Sequence, residues 1–554
     1  MTQSSVHQQE ELCDSQIKNS AGGFVWKVKD IDRLRRFLCL GSANGTFYVR
    51  DEEKFGEESV KAVTDLITSG KGEVVVEEVV KYSVEGRVAK PNPLLLVLAL
   101  CARCSDTNTK NAAYNALSQV CRIPTHLFQF IDYCERLSGE SSGWGRAHRR
   151  AIKAWYLDKD PQKLAYLVTK YKKRGGWSHK DVLRLCHINP SAQEGIDAVF
   201  KYIFKGFEET SRLYAENENE TIKDVMNFLN AVETVKNSTD TVTVAAFIEE
   251  HKLVREHIPT KLLKSTEVWG ALLKEMPMTA MIRNLGKMTS IGMFTPNSQE
   301  VTIVVEKLRS LEKLKLARIH PFTVLLALKT YKSGKGEKGK LIWTPNSRIL
   351  DELESAFYLS FKAVEPTRKR YMLAVDISGS MSFSGINGSQ NMTAREAAAA
   401  MIMVTMKTEY NYQVMAFANE FRNITHIMRG RSRLEEVIAA MTDMQMGSTD
   451  CSIPMVHAME NNIPVDVFIV YTDCETYMGS LHPCQALENY RKLISQKQND
   501  PSLKKAKLIV VAMTSNGFTI ANPEDPGMLD IVGFDSNAPV IMSEFALGSL
   551  SGDD

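Results

Sequence analysis

At 554 residues the chain is too long for a single hydrophobic core, so two or more domains are expected. Its 44% hydrophobic and 24% charged residues are the proportions of an ordinary globular protein and exclude a disordered or fibrous chain. The net charge of +2 conceals a basic excess in residues 1–363, with 53 Lys and Arg against 44 Asp and Glu, and an acidic excess in residues 364–554, with 15 against 22, so the first part favours an acidic partner.

The sequence contains no targeting or membrane segment of the usual kinds. Residues 1–20 are polar, without the apolar run of a signal peptide, and are predicted to be a disordered tail. The longest apolar run, Pro93–Ala102, is too short to cross a bilayer, so no membrane partner is expected. Ten cysteines in a chain of this length are few, which is typical of a reduced, intracellular protein.

Residues 21–363 are predicted to form a helical-repeat domain. Apolar residues recur there at positions i, i+3, i+4 and i+7, and Pro, Gly, Asn and Ser separate the segments. The sequence predicts an α-solenoid of irregular, HEAT-like helix pairs rather than a compact bundle, because about 340 residues exceed one globular core. The predicted helices include Val60–Thr68, Glu73–Tyr82, Asn92–Cys104, Asn111–Val120, Leu164–Tyr171, Val225–Val235, Val268–Glu275, Val301–Leu311, Phe322–Tyr331 and Ile349–Phe361.

Residues 364–546 are predicted to form an α/β domain, and residues 547–554 a short tail. Strands such as Tyr371–Val375, Val465–Tyr471 and Lys507–Met513 alternate with helices such as Thr393–Thr408. This alternation predicts a parallel sheet covered by helices on both faces. In such sheets the ligand site lies at the C-terminal ends of the strands.

Three loops of the α/β domain carry oxygen-bearing side chains where such a site is expected. Asp376, Ser378 and Ser380 follow the first strand, Thr449 lies in a Gly-Ser-Thr-Asp loop, and Asp473 follows Val465–Tyr471. Two carboxylates with neutral hydroxyls form a hard, oxygen-only donor set that suits a divalent cation, best Mg²⁺, and not zinc. The alternative is structural, with Ser-Gly-Ser a simple turn and the second aspartate a helix cap.

These three pieces resemble the metal-ion-dependent adhesion site of von Willebrand factor A domains. The resemblance implies that Asp376, Ser378, Ser380 and Thr449 hold the ion, and that Asp473 does so directly or through water. It also implies that a protein partner supplies a carboxylate to the remaining coordination position. Cys474 stands where that family usually has Gly, which affects the expected shape of the loop.

Most of the basic excess is concentrated between residues 122 and 184, which carry 14 Lys and Arg against 6 Asp and Glu. The pattern predicts three successive helices, each with a cationic stripe opposite an apolar face. The stripes are Arg146, Arg149, Arg150 and Lys153 in the first helix, Lys163, Lys170 and Arg174 in the second, and Lys180, Arg184 and His187 in the third. Stripes of one sign favour phosphate binding, although charged faces are more often simply solvated.

The candidate RNA-binding residues extend these stripes through the turn between the second and third helices. Trp177 follows Gly175 and Gly176, and it could either stack on an unpaired base or anchor the turn in the core. The full set is Arg146, Arg149, Arg150, Lys153, Lys170, Lys172, Lys173, Arg174, Trp177, His179, Lys180, Arg184 and His187.

Several longer stretches are similar to the Ro autoantigen, or TROVE-domain, family of RNA-binding proteins. They are Lys170–Pro190, Arg35–Ser42, Val120–Phe128, Glu275–Thr289 and Ala512–Asp530. The resemblance covers nearly the whole chain apart from the two tails. It implies a closed ring of HEAT-like helices joined to a von Willebrand factor A domain.

The family resemblance also implies a function in small Y-RNA ribonucleoproteins. Y RNA would bind the outer basic surface, where Lys170, Arg174 and His187 occupy the family's contact positions. Single-stranded 3′ ends of misfolded non-coding RNAs would enter the central hole, in the surveillance of defective RNA in cytoplasm and nucleus. No specificity for DNA is expected.

Two other classes of function explain less of the sequence. A metal-dependent protein-adhesion module on a helical spacer explains the oxygen cluster but not the basic stripes. An enzyme is not expected, because the Asp-Ile-Ser-Gly-Ser sequence at 376–380 is not a nucleophile elbow and no acid–base constellation accompanies it. A nuclease would need clustered carboxylates beside the basic face, and the sequence places none there.

Overall fold

The structure, a computed structural model, describes residues 5–40, 57–88, 90–138, 143–188, 195–296, 298–336, 340–361, 364–383, 392–418, 421–428, 433–442, 447–514 and 516–548.

The N-terminal segment pairs with the second domain. Strands β1 (Gln16–Lys18) and β2 (Phe24–Lys27) pair antiparallel, and β2 also pairs with the strand Phe518–Thr519. The predicted disordered tail is therefore wrong for residues 5–20, since backbone pairing holds this polar segment; residues 1–4 lie outside the described ranges.

The first domain is helical, as the apolar periodicity predicts. A two-residue hairpin of strands β3 (Lys173–Arg174) and β4 (Trp177–Ser178) separates α9 from α10. The helices over the described residues are α1 (Asp30–Leu40), α2 (Glu57–Thr68), α3 (Gly72–Val84), α4 (Asn92–Arg103), α5 (Thr107–Asn115), α6 (Leu117–Val120), α7 (Pro124–Arg136), α8 (Arg146–Leu157), α9 (Pro161–Lys170), α10 (His179–Leu185), α11 (Ile196–Lys205), α12 (Phe207–Leu213), α13 (Glu220–Asn237), α14 (Thr241–His251), α15 (Thr266–Glu275), α16 (Met278–Ser290), α17 (Gln299–Arg309), α18 (Leu311–Leu316), α19 (Pro321–Lys332) and α20 (Ser347–Leu359).

The helices pack mainly on their neighbours along the chain, and the two ends of the array meet. One buried apolar cluster runs through the helices from Leu34 to Leu229, and a second begins at Val232 and continues into the second domain. At the meeting point the Arg318 guanidinium donates to the Ser83 carbonyl at 3.4 Å. This contact joins α3 to the segment before α19, and a contact between the two ends of the array is what closure into a ring requires. None of the described helices is long and apolar enough to cross a membrane.

The second domain has a six-stranded sheet in the order β11-β9-β8-β5-β6-β7. All its neighbours are parallel except β6 and β7, where the sequence predicts a parallel sheet. Only three residues separate β6 from β7, too few for a parallel crossover, so β7 must run antiparallel. The strands are β5 (Tyr371–Asp376), β6 (Tyr412–Phe417), β7 (Phe421–Asn423), β8 (Val467–Thr472), β9 (Lys507–Ala512), β10 (Phe518–Thr519) and β11 (Met528–Val532), and the helices are α21 (Gly379–Phe383), α22 (Ala394–Thr408), α23 (Thr425–Met428), α24 (Leu434–Thr442), α25 (Ile453–Glu460), α26 (Pro483–Lys497) and α27 (Ala538–Leu547).

Two buried guanidinium groups join the domains. Arg36, on α1, has a fully buried side chain that pairs with Asp530 on β11 and donates to the Phe518 carbonyl at 2.8 Å. Arg87, just after α3, pairs with Asp535, which follows β11, and both side chains are buried. Because a buried charge without a partner is costly, these pairs require the two domains to dock in this arrangement.

Asp535→Ala should therefore destabilise the chain strongly. It leaves the Arg87 guanidinium buried without its carboxylate, which costs about 3–5 kcal/mol. We expect the midpoint of thermal unfolding of the full chain, followed by calorimetry, to fall by about 3–4 °C. The matched control is Asp351→Ala, which removes an exposed pair with Arg433 worth less than about 1 kcal/mol and should leave the midpoint unchanged. Equal midpoints for both variants would contradict this assignment.

Four histidines of the helical domain are buried and neutral. Burial lowers the pKa to about 4 for His148, His179 and His320, and to about 3 for His257. For His257 the charges of Lys170 and its neighbours add to the effect of burial. The unfolded chain binds these protons near pH 6.5, so the stability gained from neutral histidines is present above that pH and is lost as pH falls toward 4.

We expect the buried neutral ring of His179 to lower the midpoint of thermal unfolding of the wild type as pH falls from 7 to 5, relative to a variant without this ring. Keeping one such histidine neutral at pH 5 costs on the order of 2 kcal/mol. His179→Gln should destabilise the chain at pH 7.5, where its hydrogen bonds are lost, and less so at pH 5, where the wild type bears the cost of the neutral ring. His187→Gln, at an exposed position, should show no such pH-dependent difference. A constant effect of His179→Gln across this range would contradict the assignment.

Candidate functional site

The fold brings the three oxygen-bearing loops together at one edge of the sheet. Strands β5 and β8 are parallel neighbours, so Asp376 at the end of β5 and Asp473 just after β8 emerge side by side. The hydroxyls of Ser378 and Ser380 lie 3.2 Å apart, and the Ser380 hydroxyl is close enough to Asp473 to lower its pKa. The Thr449 carbonyl accepts from the backbone N–H of Tyr477, in the loop after β8, at 3.1 Å. All five predicted metal ligands thus lie in adjoining loops.

The electrostatics of this cluster favour a cation. Asp376 and Asp473 are almost fully buried, and burial raises the pKa of both carboxyls. The charge of Asp473 raises the pKa of Asp376 further. Oδ1 of Asp473 accepts from the Glu475 N–H at 3.1 Å, whereas Oδ2 is buried without a hydrogen-bond partner. A buried carboxylate oxygen with no donor is unfavourable alone, and a bound divalent cation would satisfy it.

The donor set fits a hard cation that keeps some of its water. Ser380 is partly exposed, so the cluster opens to solvent on that side. Among the described residues no group of three or more His, Cys, Asp or Glu side chains is arranged to hold a metal ion. A cation here must therefore rely on hydroxyl oxygens and water beside the two carboxylates, as Mg²⁺ does.

The loop after β8 takes the conformation that a glycine would take. Cys474 has φ of 63°, in the left-handed region. Its side chain is buried in the core on that side of the sheet. Cys474 therefore adopts a backbone conformation that glycine reaches without strain, and the cost for a residue with a side chain, about 1–2 kcal/mol, is met by surrounding contacts.

The first cationic stripe lies as predicted on α8. Arg146 and Arg150 are exposed, and Arg149 and Lys153 are partly exposed. The opposite face buries Ile152, Trp155 and Tyr156 in the helical core. The polar face of α8 is therefore a continuous row of positive charge, as an i, i+3, i+4 and i+7 spacing requires.

The second and third stripes are only partly helical. Helix α9 ends at Lys170, so Arg174 belongs to strand β3 and the predicted helical stripe through Arg174 is wrong. Gly175 and Gly176 both have positive φ and form the tight turn of the β3–β4 hairpin. The hairpin leaves Lys172, Lys173 and Arg174 exposed, so the charges remain accessible although their spacing is not helical. Helix propensity alone could not predict the hairpin, because two glycines permit either a linker or a hairpin.

On α10, Lys180 is partly exposed and Arg184 is exposed. His187 lies beyond the end of the helix, with φ of 51°, and is also exposed. The third stripe is thus helical only as far as Arg184, and His187 continues it from the left-handed residue that terminates the helix.

His179 is not available to RNA, so its assignment as an RNA-binding residue is wrong. Its ring is buried, Nδ1 lies 2.8 Å from the Tyr156 hydroxyl, and Nε2 donates to the Tyr171 carbonyl at 2.9 Å. His179 therefore locks α8, the end of α9 and α10 together. Trp177 is half-buried and its ring lies 6.0 Å from that of Trp144, so it anchors the hairpin in the core.

The predicted cations have no acidic partners among the described residues. No ion pair includes any of Arg146, Arg149, Arg150, Lys153, Lys170, Lys172, Lys173, Arg174, Lys180 or Arg184 within the described part of the chain. Nearby Lys205 and Lys223, in contrast, pair with Glu209 and Glu220. The positive charge of the predicted surface is therefore not neutralised from within.

The cations form two groups. Arg149 and Lys153 of α8 lie close enough to Cys186, at the end of α10, to lower the pKa of its thiol against the effect of burial. Lys170, Lys172 and Lys236 gather around the buried His257. We call these the α8–α10 group and the α9–α13 group. Lys236, on α13, was missed because only tertiary packing brings it to the others; it pairs with Glu233.

Comparisons with known proteins agree with this architecture. The TROVE domain model matches residues 17–330, and the Ro60 vWA domain model matches residues 370–546. The RNA-binding protein RO60 of Caenorhabditis elegans and that of Deinococcus radiodurans are each 37% identical to this chain, over 98% of it and over 92% and 97% of their own lengths. The crystal structure of Deinococcus radiodurans RO (RSR) protein is similar with a TM-score of 0.66 and 34% identity, over 94% of this chain and 100% of that one.

These matches confirm the predicted fold class, a helical-repeat domain followed by a von Willebrand factor A domain. They span both domains and nearly the whole length of each relative. The chain therefore belongs to the Ro60 family of TROVE-domain proteins.

Proposed function

We propose that this chain is the RNA-binding protein of small Y-RNA ribonucleoproteins and acts in the quality control of non-coding RNA, in cytoplasm and nucleus. The observation that carries the proposal is the set of accessible cations on α8–α10 and the intervening hairpin that have no acidic partner among the described residues. The two relatives named RNA-binding protein RO60 also support RNA as the partner of this chain.

Phosphate contacts would supply most of the affinity. Each Lys or Arg that neutralises a phosphate releases about one counterion, so affinity falls steeply with added salt. The exposed hairpin cations and the α8 row present charge without a flat aromatic platform, because Trp177 packs inward. We therefore expect recognition of the backbone and shape of a folded, duplex-containing RNA at this surface, rather than stacking on single bases.

Single-stranded 3′ ends would bind elsewhere, in the ring that the helical domain forms. The contacts between Ser83 and Arg318, and between Arg87 and His320, support closure of that ring. A folded RNA on the outer surface and an unpaired end in the hole could then be held by one molecule, which is the arrangement that surveillance of misfolded RNA needs.

The second domain would bind a divalent cation, for which Mg²⁺ suits the donors best. Asp376, Ser378, Ser380, Thr449 and Asp473 would hold it, Asp473 directly or through water. Bound there, the cation supplies a Lewis-acidic position that a carboxylate of a protein partner can occupy. The buried, unpartnered Oδ2 of Asp473 and the exposed side of Ser380 favour this second activity.

Lys170→Ala combined with Arg174→Ala should weaken binding of a stem-containing Y RNA by about ten-fold or more at physiological salt. It should also reduce the slope of log affinity against log salt by about 2, because two phosphate contacts are lost. Filter binding at several salt concentrations measures both quantities. The matched control, Lys497→Ala with Lys504→Ala, removes the same charge from the exposed surface of the second domain and should change neither.

Either of two results would oppose the RNA proposal. Wild-type affinity that is equal at low and high salt would remove the phosphate-based mechanism. Equal losses in the Lys170/Arg174 and Lys497/Lys504 variants would attribute the effect to net charge and move the site elsewhere.

Loss of the cation should leave RNA binding intact and abolish binding of a carboxylate-bearing protein partner. Asp376→Asn is preferable to a chelator, because Mg²⁺ in the buffer then keeps the RNA folded. Calorimetric titration with Mn²⁺ should detect one site in the wild type and none in the variant, while filter binding gives equal RNA affinities. A variant that loses RNA affinity in parallel would contradict the separation of the two activities.

A further inference from the structure

The N-terminal segment packs against the loops that carry the proposed cation ligands. The Gln8 side chain is fully buried there. Its amide nitrogen donates to Asp450 Oδ1 at 2.7 Å and to the Leu481 carbonyl at 2.8 Å. Its amide oxygen accepts from the Thr476 hydroxyl at 2.5 Å. One side chain thus fixes the loop that carries Thr449 to the loop that follows Asp473.

The Asn19 side chain binds the backbone of the second of these loops, the one that follows Asp473. Its amide nitrogen donates to the carbonyls of Cys474 and Thr476, at 3.1 and 2.8 Å. Its amide oxygen accepts from the N–H of Gly23 at 2.8 Å, so the side chain is oriented by its own segment. A Cβ on Gly23 would lie 1.9 Å from the Thr476 carbonyl oxygen, which shows how closely the two backbones approach.

These contacts hold the chain directly after Asp473 without touching its carboxylate. The segment also engages Glu475, whose Oε2 accepts from the Ala21 N–H at 3.1 Å. The three residues that follow Asp473 are therefore held by Asn19 at Cys474, by Ala21 at Glu475 and by Gln8 at Thr476. The left-handed Cys474 lies within this stretch, so the same contacts maintain a backbone conformation that a free loop would leave.

We propose that Gln8 and Asn19 are positioning residues for the divalent cation. Two buried carboxylates that face one cation repel each other until it binds, so the loops that carry them must be held in place beforehand. In this chain the hold comes from the first twenty residues, which precede the helical domain. The inference rests on the cation site proposed above and names the residues that hold its loops in the geometry needed to bind the ion.

A consequence is that the cation site is composite. The match to the second-domain family begins at residue 370, more than 340 residues after Asn19. The sheet and its loops supply the ligands, and the opposite end of the chain supplies their support. Cation affinity is therefore a property of the full chain.

The test is the affinity of the full-length chain for Mn²⁺, measured by isothermal titration calorimetry. Gln8→Ala and Asn19→Ala should each raise the Mn²⁺ dissociation constant by about ten-fold or more, as loss of groups that orient metal ligands does. Gln9→Ala is the matched control, because Gln9 is the same residue type, adjacent in the segment and exposed. It should bind Mn²⁺ like the wild type.

A second variant and two further readouts separate positioning from folding. Gln8→Met keeps the length of the side chain and removes its hydrogen bonds, and it should weaken Mn²⁺ binding as Gln8→Ala does. The affinity for RNA should stay at the wild-type value in these variants. The midpoint of thermal unfolding in chelator should fall by only a few degrees, because unpaired buried polar groups cost about 1–3 kcal/mol, so the chain stays folded where Mn²⁺ binding is measured.

The outcomes distinguish a failure of the positioning role from a failure of the proposed cation site. If the wild type binds no Mn²⁺, or if Asp376→Asn binds it unchanged, the cation site itself is wrong. If the wild type binds Mn²⁺ and Asp376→Asn does not, while the Gln8 and Asn19 variants bind normally, the site stands and the positioning role is wrong. An equal loss in Gln9→Ala would also overturn the role, because the effect would not depend on the contacts.

Discussion

The arrangement of the whole molecule depends on one buried guanidinium, that of Arg87. Its side chain pairs with Asp535 of the second domain and stacks 3.9 Å over the ring of Tyr82. Its backbone carbonyl accepts from Nε2 of His320, in the last helices of the array, at 3.1 Å. Three parts of the chain thus meet at one residue: the end of α3, the closing helices and the sheet domain. Because a buried charge must be paired, the guanidinium fixes Arg87 to the second domain, and its backbone carbonyl then binds the helical array where the array closes.

The distribution of ion pairs explains how one protein can be both tightly docked and open to a polyanion. The cations at the domain junction, Arg36 and Arg87, are buried and each has a carboxylate. The cations of α8 and of the β3–β4 hairpin are accessible and have none among the described residues. A buried charge without a partner destabilises the protein by about 3–5 kcal/mol, whereas an exposed one costs little because water solvates it. The unpaired charge can therefore be kept for a ligand without loss of stability.

Sequence periodicity predicted the helices and the order of the sheet elements well, because burial of one face leaves a direct trace in the pattern of apolar residues. The same pattern predicted that Asp376 and Asp473 follow two buried strands, which the structure places side by side, whereas the cation between them stays a prediction. It failed where tertiary contacts decide. His179 has the polar character of a surface residue, and only the proximity of Tyr156 and Tyr171 shows that it is buried. The tail at residues 5–20 has no apolar period because it is held by the neighbouring strand β2 and by loops of a domain hundreds of residues away. Lys236 joins the α9–α13 group through the packing of α13 on α9, which no local pattern records.

The cation loop and the domain junction are parts of one hydrogen-bonded network. The Asn516 side chain donates to the Asp473 carbonyl at 2.6 Å, and the Asn516 carbonyl accepts from Arg36 at 3.0 Å. A helix of the first domain is therefore two hydrogen bonds from a residue predicted to hold the cation. This explains how Cys474 can keep a left-handed backbone: the peptide groups on both sides of it are held by neighbours from other parts of the chain, whose combined hydrogen bonds exceed the cost of about 1–2 kcal/mol. A loop held in this way has little freedom to adjust to a ligand, so its geometry is set by the N-terminal segment and by the domain junction before any ligand binds.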